Sequence, residues 1–263
     1  VLRVDRFDLR HTLECGQFFQ FERRNGGYRV HTQGRLFEIR QAGDRLTFEG
    51  ADGSFVRNFF ALDHRAEEVE RELGFDRHVR TAMEEFGGIR ILRQDPYECA
   101  LGFITSICSN IPRIRSNVRS IAVAFGRGGG LPGPETVLDE RRLRGLGLGF
   151  RAPYLVSAQK YAALFAGVGR LNEEEARAEL MRIDGVAEKV ADCILLYGYG
   201  RLGVFPVDTW IRKAMRALYF GGRRASDGEI RALARDRFGR WAGYAQQYLY
   251  AWSRLHLKRG VAV

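Results

Sequence analysis

Ile183-Asp184-Gly185-Val186-Ala187-Glu188-Lys189-Val190-Ala191-Asp192-Cys193, with Phe205-Pro206-Val207-Asp208 shortly after it, is the part of the chain from which its organisation can be worked out. Upstream, Asn172 precedes Glu173-Glu174-Glu175, an N-cap followed by an acidic first turn, so a helix should run from there to about Arg182. Residues 183–187 then turn the chain, and a second helix is expected from Glu188 to about Tyr197, with Val190, Cys193, Ile194 and Tyr197 on one face. Two helices joined by so short a glycine-containing turn leave backbone N–H groups unpaired at the start of the second. Those groups, with the helix dipole, can hold a phosphate without reading any base. An ordinary helical hairpin has the same pattern. Val204–Trp210 leads into a third amphipathic helix with Ile211, Ala214, Met215 and Leu218 as its apolar stripe and Asp208 at the N-cap position. Taken alone, Asp208 is a helix cap and Lys189 a solvated lysine.

Working outward, the first 60 residues read as strands: Phe18 to Glu22, Tyr28 to Thr32, Leu36 to Arg40 and Leu46 to Glu49, separated by Asn25-Gly26-Gly27, Gly34 and Gly43-Asp44. Short runs of β-branched and aromatic residues between such turns imply an antiparallel meander. From Asp63 the apolar residues Ala66, Val69, Leu73, Val79, Met83 and Phe86 recur at helical spacing, and Gly87-Gly88 offers a boundary. Asp95-Pro96 then opens a helix carrying Cys99, Phe103 and Ile107, and the segment from Gly126 to Gly130 reads as a flexible loop. The expected architecture is α+β: a β domain with flanking helices over 1–88, then a helical domain over 89–263 with its hairpin at about 172–199.

The chain has 263 residues and a formal charge of +10, which favours a polyanionic partner because neutralising phosphates releases condensed counterions. At 45% hydrophobic and 28% charged the composition is globular, and no apolar run approaches the length of a membrane span. The charged first residues lack the pattern of a secretory signal, so an intracellular location is expected. Cys15, Cys99, Cys108 and Cys193 contain no C-x-x-C pair, which disfavours structural zinc and a closely spaced four-cysteine iron–sulfur cluster. Zinc hydrolases and Ser/His/Asp hydrolases find no supporting pattern. The lysines number four, Lys160, Lys189, Lys213 and Lys258, which draws attention to the position of each.

Taken together, Lys189 and Asp208 read differently. The segment Leu180 to Trp210 resembles the helix-hairpin-helix DNA glycosylases with a Gly/Pro-rich loop and an aspartate, and its Lys-Val-Ala-Asp-Cys run is similar to that of the 8-oxoguanine DNA glycosylases. The resemblance extends, in order along the chain, to Cys15-Gly16-Gln17-Phe18-Phe19, Phe103–Ile114, Leu146–Arg151 and Gly243–Tyr250. It implies a TBP-like N-terminal antiparallel β domain followed by an all-α glycosylase domain.

The resemblance also implies a mechanism. Breaking the N-glycosidic bond of an extruded nucleotide by amine attack at C1′ gives a covalent intermediate that becomes a Schiff base, and β-elimination can follow. Lys189 is the implied nucleophile and Asp208 the carboxylate that stabilises positive charge on the sugar. Oxidised guanine carries N7–H where guanine has an acceptor, so a carbonyl aimed at N7 separates the two. That carbonyl is assigned by resemblance to Gly16, the Watson–Crick edge to Gln246, and the two base faces to Cys193 and Tyr250, the last standing where the family often has phenylalanine. Arg113 and Arg151 match the arginines that contact the orphaned cytosine. Gly185 and Ala187 belong to the hairpin that meets DNA, with alanine replacing a second glycine.

Besides Ala187, the pattern departs at two places. Cys108 stands where relatives place the asparagine that fills the gap left by the flipped base, and Asn110 lies two residues later, so either could serve. Trp210 stands where some relatives have histidine. The implied partner is damaged duplex DNA, bound by a monomer with no membrane association. No cofactor or iron–sulfur cluster is required, with room for a monovalent cation at the hairpin backbone, and the site is the cytoplasm or nucleoid of a prokaryote or the nucleus of a eukaryote. The alternatives are a related glycosylase for another damaged base and a noncatalytic hairpin protein that only binds DNA.

Overall fold

The computed structural model describes residues 1–257, so Lys258 lies outside the described residues. Alternating apolar residues build the N-terminal sheet: β1 (Leu2–Arg3), then helix α1 (Leu9–Glu14), then β2 (Phe21–Arg24), β3 (Gly27–Thr32), β4 (Arg35–Ala42) and β5 (Arg45–Glu49). All neighbours are antiparallel, in the order β1-β5-β4-β3-β2. Val30 lies opposite Phe21 on one side and Phe37 on the other, so large side chains face one another across the strands. The buried face, with Tyr28, Ile39 and Leu46, is covered by Leu9 and Leu13 of α1 and by Val56 and Phe59 of α2 (Gly53–Phe59).

The meander is as expected, but its first strand begins at Phe21 rather than Phe18. Residues 15–20 are irregular because their side chains are claimed from two sides: Phe18 is buried against the sheet and Phe19 among the helices. Nor do the apolar clusters divide at Gly87-Gly88. Val69 and Leu73 of α3 (Ala66–Leu73) and Val79 and Ala82 of α4 (Arg77–Glu85) pack in the helical cluster, not under the sheet.

The rest is helical: α5 (Pro96–Thr105), α6 (Ile111–Phe125), α7 (Glu140–Gly145), α8 (Ala152–Lys160), α9 (Phe165–Val168), α10 (Glu173–Leu180), α11 (Glu188–Tyr199), α12 (Thr209–Leu218), α13 (Asp227–Phe238) and α14 (Ala242–His256). Their starts follow the caps in the sequence. Asp95 Oδ1 accepts the N–H groups of Tyr97 and Glu98, both at 2.9 Å, and Asn172 forms a capping box with Glu175. Helix α10 ends at Leu180, two residues earlier than expected, and α11 continues to Tyr199, where Gly200 closes it in a left-handed conformation. Asp192 of α11, wholly buried, meets Arg177 of α10 at 2.7 Å and Arg231 of α13 at 3.9 Å, which joins the three helices. Burial lifts this carboxyl to about 6, against the pull of Arg177. Among the described residues no helix is long and apolar enough to cross a membrane.

Gln17 closes the seam between sheet and helices. Its Nε2 donates to Thr12 O (2.9 Å) and Arg90 O (2.7 Å), and its Oε1 accepts from Leu92 N (2.9 Å), with no part of the residue exposed. Gln17→Met keeps the volume but leaves the Arg90 carbonyl and the Leu92 N–H buried without partners, while Thr12 O keeps the Cys15 thiol. The expected loss is at least about 2 kcal/mol of unfolding free energy, at about 1–3 kcal/mol for each unsatisfied group. A denaturant midpoint unchanged from the parent would show that the seam is held by other contacts.

Candidate active site

The two helices α5 and α11 pack along one another, with the rings of Phe103 and Tyr197 stacked at 5.3 Å and 9°. Beside that pair lies a cavity of about 510 Å³ lined by every residue singled out in the sequence except Arg113 and Arg151. Residues as distant in sequence as Gly16 and Tyr250 share it. Another cavity, of about 580 Å³, opens between β1 and the 62–71 segment and holds none of the singled-out residues.

Lys189 lies in the first turn of α11, half-buried. Its Nζ sits 5.0 Å above the centre of the Phe103 ring and donates to Ser106 Oγ at 3.4 Å. Asp208 caps α12 as expected, its Oδ1 accepting from Ile211 N at 2.8 Å. It also faces the cavity with Lys189. Burial raises the Asp208 carboxyl above the ordinary value, opposed by the Ile211 N–H and by Lys189. So Asp208 has two tasks at one position, and the cap fixes its rotamer.

Gly16 turns the chain with φ +92°, and a Cβ there would lie 3.1 Å from both Ile111 Cδ1 and Tyr250 Cε1. Glycine suits this backbone angle, and any Cβ would also crowd the Tyr250 ring. Cys193 is buried four residues after Lys189, and burial pushes its thiol up to about 12, so it packs as a neutral thiol. Gln246 is buried, with Nε2 donating to Pro206 O at 3.2 Å. Trp210 lies at the rim beside Asp208, its ring 4.8 Å from Lys213 Nζ.

Gly185 turns the hairpin with φ +79°, and a Cβ there would lie 2.3 Å from the Tyr154 ring, so the turn is seated on α8. Asp184 N adds a bond to Ser157 Oγ on the same helix (3.0 Å). Ala187 has φ −90°, which any residue adopts, and this is why alanine is accommodated where relatives have glycine. Helix α11 starts without a side-chain cap, and Val190 N already donates to Ala187 O at 2.9 Å, so the N–H groups of Glu188 and Lys189 remain for an external acceptor.

Asn110 and Cys108 have different structural tasks. Asn110 caps α6, its Oδ1 accepting from Arg113 N at 3.1 Å, whereas Cys108 is exposed at the apex of the 106–109 turn with φ +48°. Arg151 is buried and donates from Nε to Ile107 O (2.5 Å) and from Nη2 to Cys108 O (2.8 Å), so it braces that turn. Arg113 stands exposed on the first turn of α6. Among the described residues no cluster of three or more His, Cys, Asp or Glu side chains is arranged to hold a metal.

Reading the sequence alone did not single out Ser106 and Phe103 beneath Lys189, nor Tyr197 and Gln247 behind Gly16. Their only signal is polar or aromatic character on faces that otherwise read as core.

Comparison with known proteins identifies the family of the fold. The N-terminal domain model of the 8-oxoguanine DNA glycosylases matches residues 1–100. Among solved structures the fold is similar to MBOgg1 in complex with a low-affinity DNA ligand, with a TM-score of 0.91 and 32% identity over 97% of this chain and 95% of that one. It is similar also to the Clostridium acetobutylicum 8-oxoguanine glycosylase/lyase in complex with duplex DNA containing cytosine opposite 8-oxoguanine. There the TM-score is 0.90 and the identity 31%, over 95% of this chain and 93% of that one. An N-glycosylase/DNA lyase of Methanothermobacter thermautotrophicus is 29% identical over 212 residues, 68% of either chain. The protein belongs to the 8-oxoguanine DNA glycosylase family.

Because the Asp208 carboxyl titrates higher in the folded chain than in the unfolded one, its ionisation costs stability as pH rises through the folded value. Asp208→Asn retains a capping oxygen and removes that cost. Its melting temperature at neutral pH should equal or exceed the parent's, with the difference shrinking as pH falls toward about 4, the ordinary carboxylate value. Thermal melts across that range check this, and a markedly lower melting temperature at neutral pH would contradict the burial argument.

Proposed function

We infer that the protein is a bifunctional DNA repair enzyme, a glycosylase that excises 8-oxoguanine from duplex DNA and a lyase that cleaves at the resulting abasic site. The observation that carries this reading is the joint placement of Lys189, Asp208, Gly16, Cys193, Gln246 and Tyr250 around one cavity. The nucleotide is extruded into it. In the neutral form, Lys189 Nζ attacks C1′, and the glycosidic electron pair leaves with the base, which takes up a proton. Ionised Asp208 stabilises the positive charge that develops on the sugar. The C1′ adduct opens to a Schiff base, and loss of a C2′ proton expels the 3′ phosphate.

Selectivity follows from one proton. The Gly16 carbonyl accepts N7–H of the oxidised base and repels the lone pair of guanine, while Cys193 and Tyr250 lie against the base faces and Gln246 meets the Watson–Crick edge. Gln246 then exchanges its bond to Pro206 O for the base. Cys108 fills the gap, since Asn110 is engaged as a cap, and Arg113 reaches the orphaned cytosine over the turn that Arg151 braces. The uncapped start of α11 receives a backbone phosphate. One copy of the chain supplies every one of these groups, so a monomer suffices. No cofactor takes part. A monovalent cation at the hairpin would draw on backbone carbonyls there, of which Ile183 O already accepts from Val186 N at 3.0 Å, and no step depends on it. The protein acts wherever the genome lies, nucleoid or nucleus.

Borohydride trapping on a duplex with 8-oxoguanine opposite cytosine should give a covalent adduct, absent from Lys189→Gln and from undamaged duplex. Base release without an adduct would make the enzyme monofunctional, and binding without release would leave only a DNA-binding protein. Asp208→Asn should slow single-turnover excision by about a hundredfold or more. As the exposed one of four free cysteines, Cys108 should react first with iodoacetamide, and lesion duplex should slow its labelling. Labelling indifferent to DNA would remove Cys108 from the interface.

A further inference from the structure

The carbonyls on either side of Gly16 are both held by groups that lead to one residue. On one side Cys15 O accepts Nε2 of Gln247 at 3.0 Å, and Gln247 Oε1 accepts the Tyr197 hydroxyl at 2.6 Å. On the other, Gln17 O accepts Nε2 of Gln94 at 2.7 Å, and the backbone N–H of Gln94 donates to Tyr197 O at 2.9 Å. Tyr197 is 3% exposed and Gln247 1%. Between the two tethered peptides, the Gly16 carbonyl takes no hydrogen bond from the described residues. The Tyr197 ring stacks on Phe103, over which Lys189 Nζ sits.

We propose that Tyr197 and Gln247 are positioning residues for lesion recognition, which hold the peptides flanking Gly16 so that its carbonyl alone points at the base and keep it in register with Lys189. Glycine at φ +92° has no side chain of its own to resist rotation of these peptides. Telling a donor from an acceptor at N7 depends on where one oxygen stands, so a peptide free to turn rewards the lesion less and repels guanine less. A buried amide is also costly unless bonded, and an aliphatic side chain would pack against α11 as well as Gln247 does. The polar ladder therefore serves geometry rather than burial. This proposal rests on the Gly16 reading above.

Gln247→Leu and Tyr197→Phe, each in the full chain, test it through two rates: single-turnover excision of 8-oxoguanine opposite cytosine, and strand cleavage at a preformed abasic site, which needs Lys189 but no base recognition. The ratio of excision to cleavage should fall about tenfold in Gln247→Leu, the value of one hydrogen bond in an equilibrium constant, and by less in Tyr197→Phe. The rate on guanine opposite cytosine, relative to 8-oxoguanine, should rise. An unchanged ratio, or both rates falling in parallel, overturns the proposal while leaving the enzyme a glycosylase. A parent protein that does not excise 8-oxoguanine overturns the proposal and the functional reading together. Should Gln247→Leu fail to fold, Tyr197→Phe, which keeps the ring on Phe103, decides the question.

Discussion

Three hydrogen bonds from the Gln17 side chain to backbone groups join the sheet to the helices, and the site is assembled around that junction. The irregular segment before β2 sends Phe18 into one apolar cluster and Phe19 into the other, with Gln17 between them satisfying backbone groups that neither cluster could. A residue in this segment cannot drift without opening both cores. Gly16 is next to it, so a backbone carbonyl in an irregular stretch inherits the rigidity of two packed units. The role proposed for the Gly16 carbonyl, recognition of a base, requires such fixing, because a carbonyl has no rotamer to select.

The helical side of the cavity uses the same economy of parts. Asp208 is a helix cap whose carboxylate also faces the pocket, and Lys189 lies on a helix whose start has no cap at all. A group that normally finishes a helix also faces the cavity in one case, and in the other the helix start is left without a side-chain cap. Arg151 shows the converse. Its guanidinium, surrounded by candidates for phosphate contact in an arginine-rich chain, is turned inward onto the carbonyls of Ile107 and Cys108. The left-handed backbone at Cys108 is held from below by a charged group with no carboxylate partner.

Much of this was legible in the residues. Capping residues announced α5, α10 and α12, since a short polar side chain before an apolar-periodic run has few other structural uses. Alternation over residues 28–49 gave the meander, because period two leaves one face for a core. The short elements β1, α1 and α2 were not seen, being shorter than any reliable period. The strand expected from Phe18 failed because a run of aromatics has the same appearance whether it alternates across a sheet or splits between two cores. The helices at 66–85 were recognised, but not their allegiance, which depends on which apolar face lies nearer in space.

Sequence by itself determined the residue types and their order: a lysine four before a cysteine on one helix, an aspartate at the head of the next, a glycine before a run of aromatics, and an excess of positive charge. These are local or additive properties, and they follow from propensity, spacing and composition. Only the tertiary structure decided which of them meet. The placement of Gly16 against Tyr250, the inward turn of Arg151 and the tethering of the peptides on either side of the Gly16 carbonyl by Gln247 and Gln94 all depend on contacts between residues far apart in the chain. Such contacts are set by how whole elements pack, and no window along the chain contains both partners.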